Sequence, residues 1–472
     1  ASNCLLILLL LISVPAFSLA QRQYSEGQLS QEQQCRFRRI TASQPSERIE
    51  FEGGTSERWD EREDQFQCAS VAAVRNVIRP NGLSLPNYQP SPRLVYIERG
   101  EGYISVVFPS CAETYHSTEE DWQQRRETER FGRHGGRRGF EGRREEEEEE
   151  SGRDLHQRVH RIRRGDIIAL PAGTVHWCYN DGNEELVAVS INDLNHQTNQ
   201  LDERHRSFYL AGADSSSRGG GSSRREEGQQ RSRNIFSGFD PNLLSEAFNV
   251  PEDLIRRVQG EREERGLIVT ARERLDFIRS EDVEEEEEEG RIQRNGLEET
   301  VCSPRFITNI ESRKEADVIC KQAGKLNVVD KHKLPILRFM DLSAEKGLLY
   351  PNAMVSPDWE SFGHTIVYVT RGEAQIQITD QSGESLMNDR VNQGDMFVIP
   401  QYYVSSARAG NDGFEWVAFK TTGWPMRNPL AGYTSVIRAL PLQVVSNAYQ
   451  ISPSQAHQLK NNRGGQSFLL SP

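Results

Sequence analysis

His176 stands in the most ordered local pattern of the chain, Gly165-x5-Pro171-x-Gly173-x2-His176-x3-Asn180. Gly and Pro at such places punctuate strands with tight turns, and an imidazole there could serve as a metal ligand. One imidazole does not make a metal site, because three or more protein ligands are the rule. His176 therefore reads as a packed, hydrogen-bonded residue, and no catalytic, cofactor-binding or metal-ligating residue is assigned. No G-x-S-x-G elbow, P-loop, H-E-x-x-H or Rossmann fingerprint occurs where flanking elements would support it. Cys35, Cys68, Cys111, Cys178, Cys302 and Cys320 lie beyond residue 20. In an oxidising compartment an even number invites disulfides, yet six allow many pairings and spacing alone selects none. Cys178 sits in an apolar strand pattern and reads as a small buried hydrophobe.

The elements that position these residues occur twice. Val95-Tyr-Ile-Glu-Arg-Gly-Glu101 recurs as Val367-Tyr-Val-Thr-Arg-Gly-Glu373, and Gly165-Asp-Ile-Ile-Ala-Leu-Pro171 recurs as Gly394-Asp-Met-Phe-Val-Ile-Pro400. Ala247-Phe-Asn-Val250 recurs as Ala448-Tyr-Gln-Ile451. An internal repeat of this length means two copies of one domain. Alternating apolar residues around the Arg-Gly-Glu turns predict half-buried strands joined at the glycine, and the last pair predicts a helical tail. Pro441 opens one helix there, and Ser452-Pro453-Ser454-Gln455 supplies an N-cap, an N1 proline and a capping-box glutamine. Strands followed by helices predict two tandem β-barrels, each with a short helical arm.

Spacing between matched landmarks is 43 and 28 residues longer in the first copy. The excess coincides with residues 117–153, ending in a Glu run, and 213–233, rich in Ser, Gly and Arg. Neither composition buries enough apolar surface to offset ordering entropy, so both are expected to be disordered loops. The expected organisation is a signal segment at 1–20, a first barrel at 21–260, an acidic linker at 261–295 and a second barrel at 296–472.

Residues 5 to 12 form an apolar run shorter than the about 20 residues a membrane span takes, and Ser18-Leu19-Ala20 has the small residues signal peptidase needs. Cleavage between Ala20 and Gln21 and a soluble, secretory product are expected. The net charge of −13 lies wholly before Gly296, since the remainder holds 17 Lys+Arg and 17 Asp+Glu. Arginine interleaved with glutamate, with an acidic sum, argues against a nucleic-acid partner.

The pattern around His176 resembles the second conserved motif of the cupin superfamily at every fixed position. In metal-dependent cupins an earlier strand pair adds two His and a Glu, but residues 86–93 here read Pro-Asn-Tyr-Gln-Pro-Ser-Pro-Arg. In the second copy Tyr402, Ser405 and Ala409 replace the motif's Gly, His and Asn, and His364 is the lone imidazole near the other half. Asn295-Gly-Leu-Glu-Glu-Thr-Val-Cys302 is similar to the junction of 11S seed storage globulins of the legumin type. Asn234-Ile-Phe-Ser-Gly-Phe-Asp240, Leu334-Pro-Ile-Leu337 and Leu440-Pro-Leu-Gln-Val-Val-Ser-Asn447 resemble further segments of that family.

The resemblance implies two cupin jelly-roll barrels and a nitrogen reserve for the seed, not an enzyme. It implies cleavage between Asn295 and Gly296 by an asparaginyl endopeptidase, a Cys111–Cys302 bridge between the resulting chains, and a Cys35–Cys68 bridge within the acidic one. It also implies delivery to the protein storage vacuole and assembly with like or related globulin subunits into trimers, then hexamers. The competing readings are a metal-dependent two-barrel cupin enzyme of the oxalate type and a bicupin that holds a ligand in its barrel.

Overall fold

The computed structural model describes residues 35, 38–108, 111, 115–116, 155–212, 233–260, 265–273, 275, 304–311 and 316–472. Ala20, Gln21, the Asn295-Gly296 pair, Cys302 and the segments 117–153 and 213–232 lie outside them.

In the first copy, two antiparallel sheets face each other. One has the strand order Glu47–Phe51, Gly54–Arg58, Val71–Ile78, Leu186–Asp193, Arg93–Arg99, Asp166–Leu170, Ile307–Asn309. The other runs Phe208–Tyr209, Gly82–Tyr88, Val175–Tyr179, Glu101–Val107, Val159–Arg163. The second copy forms one continuous eleven-stranded sheet wrapped on itself. Its length comes from Thr365–Thr379 and Val404–Lys420, which pair with each other and bend through register shifts at Val369/Arg371 and Gly372/Ala374.

Those shifts show what the repeated Arg-Gly-Glu does. The sequence suggested a turn joining two strands; the glycine is instead the corner at which one strand leaves a sheet and enters the facing one. Gly100 and Gly372 have φ of 81° and 75°, a region costly for residues with a Cβ. A Cβ on Gly100 would lie 2.5 Å from the Glu185 carbonyl oxygen, and one on Gly372 would lie 2.2 Å from that of Gly413. Both the left-handed backbone and the close strand approach demand glycine.

The barrels share a core. One contiguous apolar cluster runs from Leu94, Tyr96 and Ile167 in the first to Ile366, Met396, Val398 and Phe419 in the second. Trp59 packs its edge against Tyr368 at 6.0 Å, and the Tyr368 hydroxyl donates to Glu98. The barrels also exchange strands. Ile307–Asn309 adds to the free edge of Asp166–Leu170 in the first barrel, with the Ile310 N–H on the Gly165 carbonyl and the Ala169 N–H on that of Phe306. Reciprocally, Ser43 exchanges both backbone hydrogen bonds with Met396, and the Ile40 N–H reaches the Leu386 carbonyl. The two straps are alike in detail: Asn309 Nδ2 donates to Asp166, and Gln44 Nε2 to Asp395, beside the matched glycines 165 and 394.

The stretch expected to be linker contributes a strand where it is described: Ile268–Thr270 pairs with Gly82–Tyr88 of the first barrel. Two helical arms follow the barrels. Pro241–Phe248 is capped by Asp240, which accepts from the Asn242 and Leu243 N–H groups, and leads into Glu252–Val258. Leu442–Tyr449 leads into Pro453–Asn461, whose Ser452–Gln455 capping box is complete. Both arms bend through a left-handed residue, Asn249 or Gln450, and Ser245 and Ser446 each donate to the carbonyl five residues on.

Phe306 and Ile40 are 3% and 0% exposed. Phe306→Ala should cost about 3–5 kcal/mol and Ile40→Ala about 2–5 kcal/mol. Because each strap serves the opposite barrel, hydrogen exchange should accelerate first in Asp166–Leu170 for the Phe306 variant and in Met396–Ile399 for the Ile40 variant. Exchange that accelerates uniformly in both variants would contradict the exchanged-strap account.

Candidate functional site

The two barrel interiors differ in charge. In the first, Val175–Tyr179 carries His176 inward opposite Asn87 of Gly82–Tyr88. His176 is buried, its Nδ1 lies 3.5 Å from the Thr174 carbonyl, and burial together with the nearby Arg93 charge lowers its pKa to about 3. It is therefore a neutral imidazole across the working range. A cavity of about 80 Å³ adjoins it, edged by Arg58, Arg93, Asn87, His205 and Cys178 among others, and no Asp or Glu among the described residues lines it. Arg93 and His205 were not singled out from sequence. Arg93 entered only as part of a stretch without His or Glu, and His205 lies on an irregular segment that no motif marks.

Among the described residues, one group brings three residues of metal-ligating type together: Cys35, Cys68 and His364. Cys35 and Cys68 are joined in a disulfide, so their sulfurs are not thiolate ligands. His364 Nδ1 accepts the Gln401 N–H, and burial lowers its pKa to about 4.

Tyr402 and Ser405 keep the backbone of the second copy's motif without its chemistry. Tyr402, in the glycine position, retains a left-handed φ of 67°, against 78° at Gly173. The interior is filled instead by a buried ionic network. Lys420 Nζ donates to Glu360 at 2.6 Å and lies 3.5 Å from Glu345. Arg427 forks onto both Glu345 oxygens at 2.6 and 2.8 Å and reaches Asp358 at 2.7 Å. Burial works against the Glu345 carboxylate, but Arg427 and Lys420 outweigh it and hold its pKa below the usual range. Asp358 goes the other way, because burial dominates the attraction of Arg427.

Cys111 is also disulfide-bonded, to a sulfur outside the described residues, while Cys178 and Cys320 are free thiols. Burial raises the Cys178 pKa, which makes it inert at neutral pH. Between the barrels, Asp193 is 8% exposed. Its burial, reinforced by the Asp341 carboxylate, lifts its pKa to about 7 although Oδ1 accepts the Asn195 N–H.

Comparison with known proteins places these features. A family model described as Cupin matches residues 40–215 and 308–457. An 11S globulin seed storage protein of Sesamum indicum is 61% identical over 458 residues, covering 96% of this chain and 95% of the relative. Among solved structures, procruciferin, an 11S globulin from Brassica napus, superposes with a TM-score of 0.78 at 34% identity, covering 93% of this chain and 98% of that one. The coconut allergen cocosin gives 0.78 at 34% identity, with coverage of 93% and 100%.

Two measurements test the charge assignments. Lys420→Met should cost about 3–5 kcal/mol, since it strands buried carboxylates, whereas Lys420→Met with Glu360→Leu should recover part of that loss. Urea titration of both variants decides it, and additive losses would refute the network. Asp193 has a folded pKa raised to about 7, so the folded state holds its proton where the unfolded state has released it. Its contribution is full below about pH 4 and is lost as pH rises towards 7. Asp193→Asn should therefore flatten the melting temperature between those limits, raising it at pH 7 relative to wild type and leaving it little changed at pH 4.

Proposed function

The chain belongs to the 11S seed storage globulins of the cupin family, and from that premise we propose that it is a non-enzymatic nitrogen and amino-acid reserve, cut once and held together by its fold. Near full-length kinship with a seed storage globulin carries this reading. Composition supports it, since the chain holds 49 Arg, each with four nitrogens. Among the described residues neither interior shows a nucleophile hydrogen-bonded to a base, His176 Nδ1 facing only the Thr174 carbonyl, and the second is closed by its own ion pairs.

The cut lies between Asn295 and Gly296 and is made by an asparaginyl endopeptidase. The acidic product spans 21–295 and the other 296–472. Their covalent link is Cys111–Cys302. Of the seven cysteines, two are paired with each other and two are free, which leaves Cys4 and Cys302 as partners for Cys111. Phe306, four residues after Cys302, stacks edge-on against Phe108, three residues before Cys111, at 6.3 Å. That contact favours Cys302.

Assembly follows from the arms. Leu243, Phe248 and Leu254 on the first and Val444, Tyr449 and Leu459 on the second are 39–56% exposed. Rows of this kind mark protein interfaces, so related subunits join through the arms into trimers. Cleavage moves the acidic 284–289 run from one trimer face, and trimers then stack into hexamers, removing like-charge repulsion. The destination is the protein storage vacuole.

Protein from its natural tissue should give one band on non-reducing denaturing gels and two after reduction, the smaller beginning at Gly296. Native gels after reduction should still show one species, because the straps cross the cut. An Asn295→Ala precursor should stop at the trimer in velocity sedimentation; hexamers from that variant would refute the assembly step.

A further inference from the structure

We propose that the interior of the first barrel is a binding site for a compact carboxylate anion, held by the Arg93 guanidinium. Arg93 lies on Arg93–Arg99 and is 9% exposed. Its Nε donates to Asn192 at 2.8 Å, and Nη2 lies 3.5 Å from His205 Nε2. A guanidinium has five N–H donors in a fork that fits a carboxylate. The rest of this fork makes no hydrogen bond among the described residues.

Among the described residues no carboxylate pairs with Arg93; the groups that act on its charge are Tyr209 and Arg58. The about 80 Å³ cavity beside it has no Asp or Glu in its wall. The neighbouring cation, Arg58, adds to the positive potential rather than relieving it. Arg58 Nε is itself buried without a hydrogen-bond partner; its ion pair with Glu47 is at 3.7 Å, towards the half-exposed end of that strand.

The second barrel shows how this fold treats buried cations when it closes them itself. Lys420 and Arg427 face Glu345, Asp358 and Glu360, and the adjoining cavity is about 40 Å³. Leaving a buried charge uncompensated costs several kcal/mol. In the first barrel that compensation comes from outside the chain. The cavity exceeds by several-fold the about 10–15 Å³ that one water needs. Its walls are mixed: Asn87 and His176 offer polar atoms, and Val95, Ile104 and Leu170 offer methyl groups. A planar carboxylate with one short carbon chain uses both, and the fork geometry favours it over a spherical halide.

The test uses intact protein dialysed free of organic acids. Acetate and malonate, added at matched ionic strength against chloride, should raise the melting temperature and give a saturable one-to-one isotherm by calorimetry. Arg93→Met should abolish both responses and, without ligand, melt higher than wild type, because an unpaired buried charge has gone. Should that variant not fold, Arg93→Lys keeps the charge, loses the fork, and should weaken malonate at least tenfold. Equal stabilisation by chloride and malonate, or an unchanged malonate affinity in either Arg93 variant, overturns the proposal.

Discussion

Each barrel of this molecule is finished by a strand from the other half of the chain, and most of the architecture depends on that exchange. A sheet edge exposes unpaired N–H and C=O groups and invites pairing with foreign chains. Here Ile307–Asn309 covers the edge of Asp166–Leu170, and the Ile40–Gln44 strap covers Met396. Trp59 Nε1 donates to the Ser43 carbonyl, and Gln65 donates to that of Thr41 while accepting the Val398 N–H. The short helix Asp64–Ala69, locked to Cys35 through Cys68, is thereby the clasp for the strap. A chain cut between the halves has no clean plane along which to separate, since parting would leave two edges and the shared core open.

The same duplication has diverged where the barrels are hollow. Both interiors descend from one pattern, yet one is closed by two cations and three carboxylates, and the other keeps Arg93 beside a cavity whose described wall has no carboxylate. A buried network of this kind adds little net stability over apolar packing, but it punishes any partner removed alone. It therefore fixes one arrangement of Ser343–Leu349, Asp358–Glu360 and Arg427–Pro429 rather than deepening the fold's stability. Asp358, with its pKa raised by burial, is the member best placed to carry a proton and balance the cluster.

Much of this was legible before any coordinates. The repeats marked equivalent turns, and the capping box at Ser452 and the Pro-opened helices needed only local rules. Gly100 and Gly372 were read as turns and proved to be corners, because a short apolar strand, a glycine and another strand look alike in sequence whether the chain reverses or bends. The straps were illegible for a different reason. Their pairing spans more than a hundred residues, and Ser43 or Asn309 carries no periodic signal. Arg93 carries no sequence signal of its own, because a cation standing where a metal-ligand set is missing shows in sequence only as the absence of His and Glu. The linker assignment at 261–295 fell on acidic composition, yet Leu267, Ile268 and Val269 within it are buried against the first barrel.

The arms carry the argument beyond the single chain. Their equivalence extends to the left-handed residue and the serine hydrogen bond at each bend, so the chain presents two near-copies of one apolar surface, pointing from two near-copies of one barrel. A monomer with one such arm and one complementary face would pair or polymerise. A monomer with two quasi-equivalent sets can accept a neighbour on one side and offer itself on the other, and such head-to-tail contacts close into a ring when the rotation between copies permits. Closure of such a ring would bury the arms and cover the exposed apolar rows that otherwise favour aggregation. The duplication that shapes the barrels would thus also supply the geometry for such head-to-tail contacts.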